Sequence, residues 1–204
     1  MRVKLGKTAL RINISFAAVV TLMLIIDESG LCAVGLFCCI IHEAGHIICL
    51  LIFGEKPDLI ELSFYGFKIE RKEPSILTAA EELTVYMAGP AMNIILSAIF
   101  FLIGGGHEGV RTAAVSGLCV GVFNLIPCMP LDGGNIVFHI LSLFTEEERA
   151  EKICLKISAV ILVPMAVSGI FMLLKSGNIT LIGVAAYLAV SCILSCKKHF
   201  RYGM

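Results

Sequence analysis

The sequence predicts an all-α polytopic membrane protein with about six transmembrane helices and one short cytoplasmic β-hairpin between the second and third. Three observations predict it. Of 204 residues, 58% are hydrophobic and only 16% charged, against roughly 45–50% and about 25% in soluble domains. Apolar runs recur at lengths close to the roughly 20 residues that cross a bilayer core about 30 Å thick. Lys and Arg gather in alternate connecting segments. The same composition excludes a disordered chain or a collagen-like polymer. With 16 basic and 16 acidic residues, no net field draws the chain to the phosphates of a nucleic acid.

The predicted spans cover residues 11–26, 31–53, 83–103, 112–129, 153–174 and 179–196. The first resembles a signal peptide, with a basic start and an apolar run. No small-residue cleavage site precedes Asp27, so it reads as a retained helix. The fourth is interrupted by Pro127 and by Pro130 just beyond it. So little chain remains outside the spans that 1–204 reads as a single membrane domain. Its catalytic core is placed at about 31–134, a partner helix at 11–26 and a C-terminal helix pair at 153–196. Thirteen of the sixteen Lys and Arg fall in segments 1–11, 54–82, 131–152 and 197–204. Basic loops stay in the cytoplasm, so both termini are expected there, on a multi-pass protein of the cell membrane.

Between the second and third spans, the stretch from Leu59 to Glu70 alternates in part and breaks at Gly66. That pattern predicts a short hairpin, which either caps the bundle or offers a strand edge to an extended peptide. The nine cysteines lie mostly inside apolar runs with no CxxC pair. They read as small packing residues with reduced thiols.

Titratable groups at membrane depth are expensive and mark function. The second span holds three: His42, Glu43 and His46. His42 stands eleven residues past Leu31, about 16 Å along a helix and close to the midplane. Four residues apart, the two imidazoles share one helical face, and Glu43 can take a proton from a water beside them. This is the HExxH pattern of zinc hydrolases. A catalytic zinc has three protein ligands, so one is still to be found. Glu81, Glu82, Glu147 and Glu151 are candidates. Asp132 is the best, because Pro127, Pro130, Gly133 and Gly134 break the helix around it and irregular backbone is tolerated at depth where it lines a cavity.

An HExxH motif in an early span followed by Asn124-Leu-Ile-Pro127-Cys-Met-Pro130-Leu-Asp132-Gly-Gly134 resembles the site-2 protease family of intramembrane zinc metalloproteases. The short form with an N-terminal helix pair is similar to the bacterial stage IV sporulation protein FB group. Ala88-Gly89-Pro90-Ala91-Met92-Asn93 adds agreement, and the likeness spans about 31–134. The resemblance implies one zinc ion on His42, His46 and Asp132, Glu43 as general base, and Asn124 as a substrate- or oxyanion-contacting amide. Asn93 is expected to be an interhelical hydrogen-bonding residue. His139, His107 and His199 are expected to have no role in the site.

The implied substrate is a transmembrane or membrane-tethered regulatory protein, such as a sigma-factor precursor in sporulation, restrained by a membrane inhibitor protein. The bilayer itself is a partner, and a second copy of the chain is an open one. No PDZ-sized insertion is expected, nor a C-terminal CBS domain beyond Met204, and Asn135 stands where relatives often carry a basic residue. The alternative is a membrane metal-ion transporter with a midplane His/Glu/Asp site. It explains the buried ionisable groups but not a general base set between two ligands.

Overall fold

The computed structural model describes residues 2–5, 8–63, 66–70, 77–104 and 106–202. The chain divides into two compact units, Met1–Phe123 and Asn124–Met204.

The first unit begins with strands, not a helix. β1 (Arg2–Leu5) and β2 (Thr8–Ile12) pair antiparallel, with Arg2 opposite Arg11. β3 (Leu59–Ser63) and β4 (Gly66–Glu70) pair antiparallel, with Leu59 opposite Glu70. β2 and β3 join in parallel, which makes one sheet in the order β1-β2-β3-β4. A parallel pair needs a long crossover, here supplied by two helices, α1 (Ile14–Ile26) and α2 (Leu31–Ile52). This corrects the first predicted span: Arg11 and Ile12 belong to β2, where main-chain pairing with Glu61 and Leu62 takes precedence over helix formation. Arg11 also pairs with Glu61 at 3.8 Å, and Asn13 donates to that carboxylate at 3.3 Å.

α1 buries none of its thirteen residues, as a helix facing lipid would. At its end Asp27 closes the turn into α2, accepting from the Ser29 hydroxyl, from Ser29 N at 3.0 Å and from Cys32 N at 2.6 Å. Gly30 adopts φ 75, a left-handed conformation that glycine takes without steric cost. α2 buries one stripe: Cys38, His42, Gly45, His46, Cys49 and Leu50. Phe37, Ile40, Ile48 and Ile52 point outward.

α3 (Ala79–Ile103) starts from a capping box, in which Thr78 N donates to Glu81 Oε2 at 2.7 Å and Glu81 N to Thr78 Oγ1 at 3.4 Å. It packs along α2, and a Cβ on Gly45 would lie 2.6 Å from the Ala88 carbonyl oxygen. Small residues let membrane helices approach this closely. α4 (Glu108–Asn124) packs on α3 through Gly117 and Gly121, whose missing side chains leave room for Ser97 and Pro90. The fourth predicted span therefore ends at Asn124, not at 129, because the Pro-containing stretch 125–131 does not continue the helix.

In the second unit, α5 (Asp132–Ser142) occupies a segment expected to be loop. α6 (Glu147–Ser176) and α7 (Thr180–Tyr202) form an antiparallel pair, with Gly169 against the Ile182 backbone. Among the described residues α2, α3 and α6 are long and apolar enough to cross a membrane, while Ile14–Ile26 and Thr180–Leu194 are apolar but shorter. Eight described cysteines are free thiols.

Candidate metal centre and active site

Both histidines of α2 are buried, His42 at 5% exposure and His46 at 7%. Their Nε2 atoms face one another at 3.2 Å. Two nitrogens bound to one tetrahedral zinc at about 2.0–2.1 Å would be separated by about 3.3 Å, so the pair is already at ligand spacing. Their rings meet edge to face at 80°.

α3 supports both rings. The Val85 carbonyl lies 2.7 Å from His46 Nδ1. A carbonyl only accepts, so the proton of His46 sits on Nδ1 and Nε2 keeps its lone pair. The Asn93 amide lies 3.4 Å from His42 Nδ1. Between these supports is Gly89. A Cβ there would stand 2.3 Å from His46 Nε2 and 2.9 Å from His42 Cε1, inside the space the rings occupy.

Asp132 is the first residue of α5. A carboxylate is favoured at that end of a helix by the macrodipole. Three features fix its approach. A Cβ on Gly133 would stand 2.2 Å from the Leu125 carbonyl oxygen, and one on Gly134 2.6 Å from Met129 N, so only glycine lets the helix start fold onto its own loop. Met129 N donates to Ser158 Oγ at 2.9 Å, and that buried hydroxyl donates to the Cys154 carbonyl at 2.8 Å. Asn135 returns its amide to the Leu131 carbonyl at 3.2 Å.

His42 and His46 on α2 offer two ring nitrogens, and Asp132 at the start of α5 offers a carboxylate oxygen. Two imidazoles and a carboxylate are a donor set that suits zinc. Of the other acidic candidates, Glu81 is engaged in the capping box and Glu147 lies exposed in the first turn of α6. Glu43 is half-buried on α2 directly after His42, and Asn124 is the last residue of α4. His139 stacks edge-on with Phe138 near the end of α5. The sequence did not single out the Val85 carbonyl or Gly89 as supports of the rings. The spacing of Val85, Gly89 and Asn93 at four-residue intervals, one face of a helix, is the signal that could have found them.

Residues 107–165, including Asn124 and Asp132, match Peptidase family M50. A site-2 protease structure from Methanocaldococcus jannaschii superposes with a TM-score of 0.70 at 25% identity, covering 95% of this chain and 94% of that one. The chain is thus similar to a site-2 protease in fold and, over 107–165, to Peptidase family M50 in sequence. A zinc metalloprotease of M. jannaschii is 29% identical over 156 residues, covering 72% of this chain and 44% of that protein. Stage IV sporulation protein FB of Bacillus subtilis is 27% identical over 123 residues, covering 58% and 43%. The chain thus spans less than half the length of these curated relatives.

Proposed function

We propose that this site-2 protease homologue is an intramembrane zinc metalloprotease that hydrolyses a peptide bond in or next to a transmembrane segment of a membrane-tethered regulatory protein. The observation that carries the reading is the buried pair of His42 and His46, whose Nε2 atoms face one another at 3.2 Å, with Glu43 adjacent to His42 in sequence. His42 and His46 offer Nε2 and Asp132 a carboxylate oxygen. A zinc ion held there lowers the pKa of water toward neutrality and polarises the scissile carbonyl.

Glu43 takes the proton of the attacking water and passes it to the leaving amine. Asn124 donates its amide to the oxyanion that develops on the substrate carbonyl, a contact strengthened where water is scarce. The substrate must first expose a peptide bond that its own helix conceals, and the β3–β4 hairpin holds the unwound segment as an added strand. The chain is a six-span protein of the cell membrane with both termini and the hairpin in the cytoplasm, acting as one catalytic domain. Likeness to the sporulation protein supports a sigma-factor precursor as substrate and a membrane inhibitor as regulator.

Co-expression with tagged membrane-tethered sigma and anti-sigma factors tests this reading, the wild type against Glu43→Gln. A fragment made only by the wild type supports it. Cleavage of an anti-sigma factor alone would overturn the sigma-factor assignment. Glu43-dependent metal flux without any fragment would replace the protease by a transporter.

A further inference from the structure

The two candidate histidine ligands have outer nitrogens that meet different kinds of group. His46 Nδ1 faces the Val85 carbonyl at 2.7 Å. His42 Nδ1 faces a primary amide, that of Asn93, whose Nδ2 is 3.4 Å away. Asn93 is 1% exposed, too deep for water to substitute for it. It lies on the buried face of α3, four residues past Gly89.

The chemistry of the two partners differs. A carbonyl accepts only, so it permits one tautomer of His46. An amide carries an acceptor oxygen and a donor nitrogen of similar size, and a half turn about Cβ–Cγ exchanges them without a change of volume. With Nδ2 toward the ring, Asn93 donates to His42 Nδ1. The ring proton then sits on Nε2, which donates to His46 Nε2 at 3.2 Å. With Oδ1 toward the ring, the proton sits on Nδ1 and the Nε2 lone pair is available to a cation. One proton leaves Nε2 and one is taken up at Nδ1, so the charge on the ring does not change.

We infer that Asn93 is a positioning residue whose amide turn sets the tautomer of His42 and thereby couples that ring to metal loading. The inference rests on the reading that His42 holds zinc. It gives Asn93 a role beyond joining two helices, because a joining role needs a hydrogen bond of either sense.

The test is zinc affinity, measured by chelator competition on the full chain in detergent, with the cobalt-substituted spectrum as a second readout. Asn93→Leu keeps the volume and removes both hydrogen-bonding senses. Zinc affinity is expected to fall about 10–100-fold, the usual cost of losing an outer partner of a ligating histidine. Asn93→Asp presents an acceptor only and is expected to bind zinc at least as tightly as the wild type. Affinity of Asn93→Leu within twofold of wild type would overturn the inference, as would loss of zinc in Asn93→Asp. Should either variant fail to fold, nitrogen-15 signals of His42 in the unsubstituted chain decide. The proton is expected on Nε2 after chelation and on Nδ1 after zinc is restored, and an unchanged tautomer would overturn the inference. A wild type that binds no zinc sinks the zinc reading itself, a result distinct from failure of the Asn93 variants alone.

Discussion

Nδ1 of His46 lies 2.7 Å from the carbonyl oxygen of Val85. A ring on α2 thus has its proton fixed by the main chain of α3, and no side-chain substitution at residue 85 removes that acceptor. Nε2 of the same ring is bounded by Gly89, also on α3, where a Cβ would stand 2.3 Å from it. Backbone of α3 thus meets both nitrogens of the ring.

Gly89→Ala tests that boundary. The added methyl must displace one of the rings, and overpacking of this kind costs about 1–3 kcal/mol. Zinc retention after dialysis against a mild chelator is expected to drop by more than tenfold, with the melting temperature of the chain falling modestly. Wild-type zinc retention would show that the rings do not need this space.

Ser158→Ala removes the acceptor of Met129 N and leaves a part-buried N–H unpaired. The penalty is about 1–3 kcal/mol, taken from the loop that leads into Asp132. Proteolytic rate is expected to fall while Ser158→Thr, which keeps the hydroxyl, recovers most of it. Equal rates in Ser158→Ala and wild type would mean that Asp132 is placed without this bond.

The turn between α1 and α2 predicts a pH dependence. The Ser29 hydroxyl and the Cys32 amide hold the Asp27 carboxyl below the ordinary carboxylate value. A group depressed in the folded chain stabilises it above the unfolded value, about 3.9, and loses that contribution as pH falls through the folded value. Asp27→Asn is therefore expected to melt below wild type at pH 7, with the gap closing in acid. A gap independent of pH would contradict the assignment to the charged form.

The candidate metal ligands are legible in the sequence because their signals are side-chain types at fixed spacing. His42 and His46 fall four apart in an apolar run, and Asp132 follows two prolines and precedes two glycines. The two N-terminal strands were concealed by composition. Arg2, Lys4, Lys7 and Arg11 read as a basic flank, although Arg2-Val3-Lys4-Leu5 alternates as a strand does. The parallel partner of β2, β3, lies far along the chain, and such long-range pairing leaves no local mark. α5 was likewise hidden, since the charges of 146–152 made the whole stretch after Asp132 resemble a loop. The supports of the rings escaped for another reason: one is a main-chain carbonyl and one a missing side chain, and neither has a residue type that announces it.

The most direct measurement combines metal content with cleavage in one preparation. Purified chain in lipid nanodiscs is assayed for bound zinc and for hydrolysis of a transmembrane peptide panel, as wild type, Glu43→Gln and Asp132→Ala. The account predicts one zinc per chain in wild type and Glu43→Gln, with hydrolysis in wild type alone and a loss of about 10²–10⁴-fold on removing the general base. It predicts that Asp132→Ala loses both zinc and hydrolysis. Zinc retained at full stoichiometry in Asp132→Ala, or undiminished hydrolysis by Glu43→Gln, would contradict it.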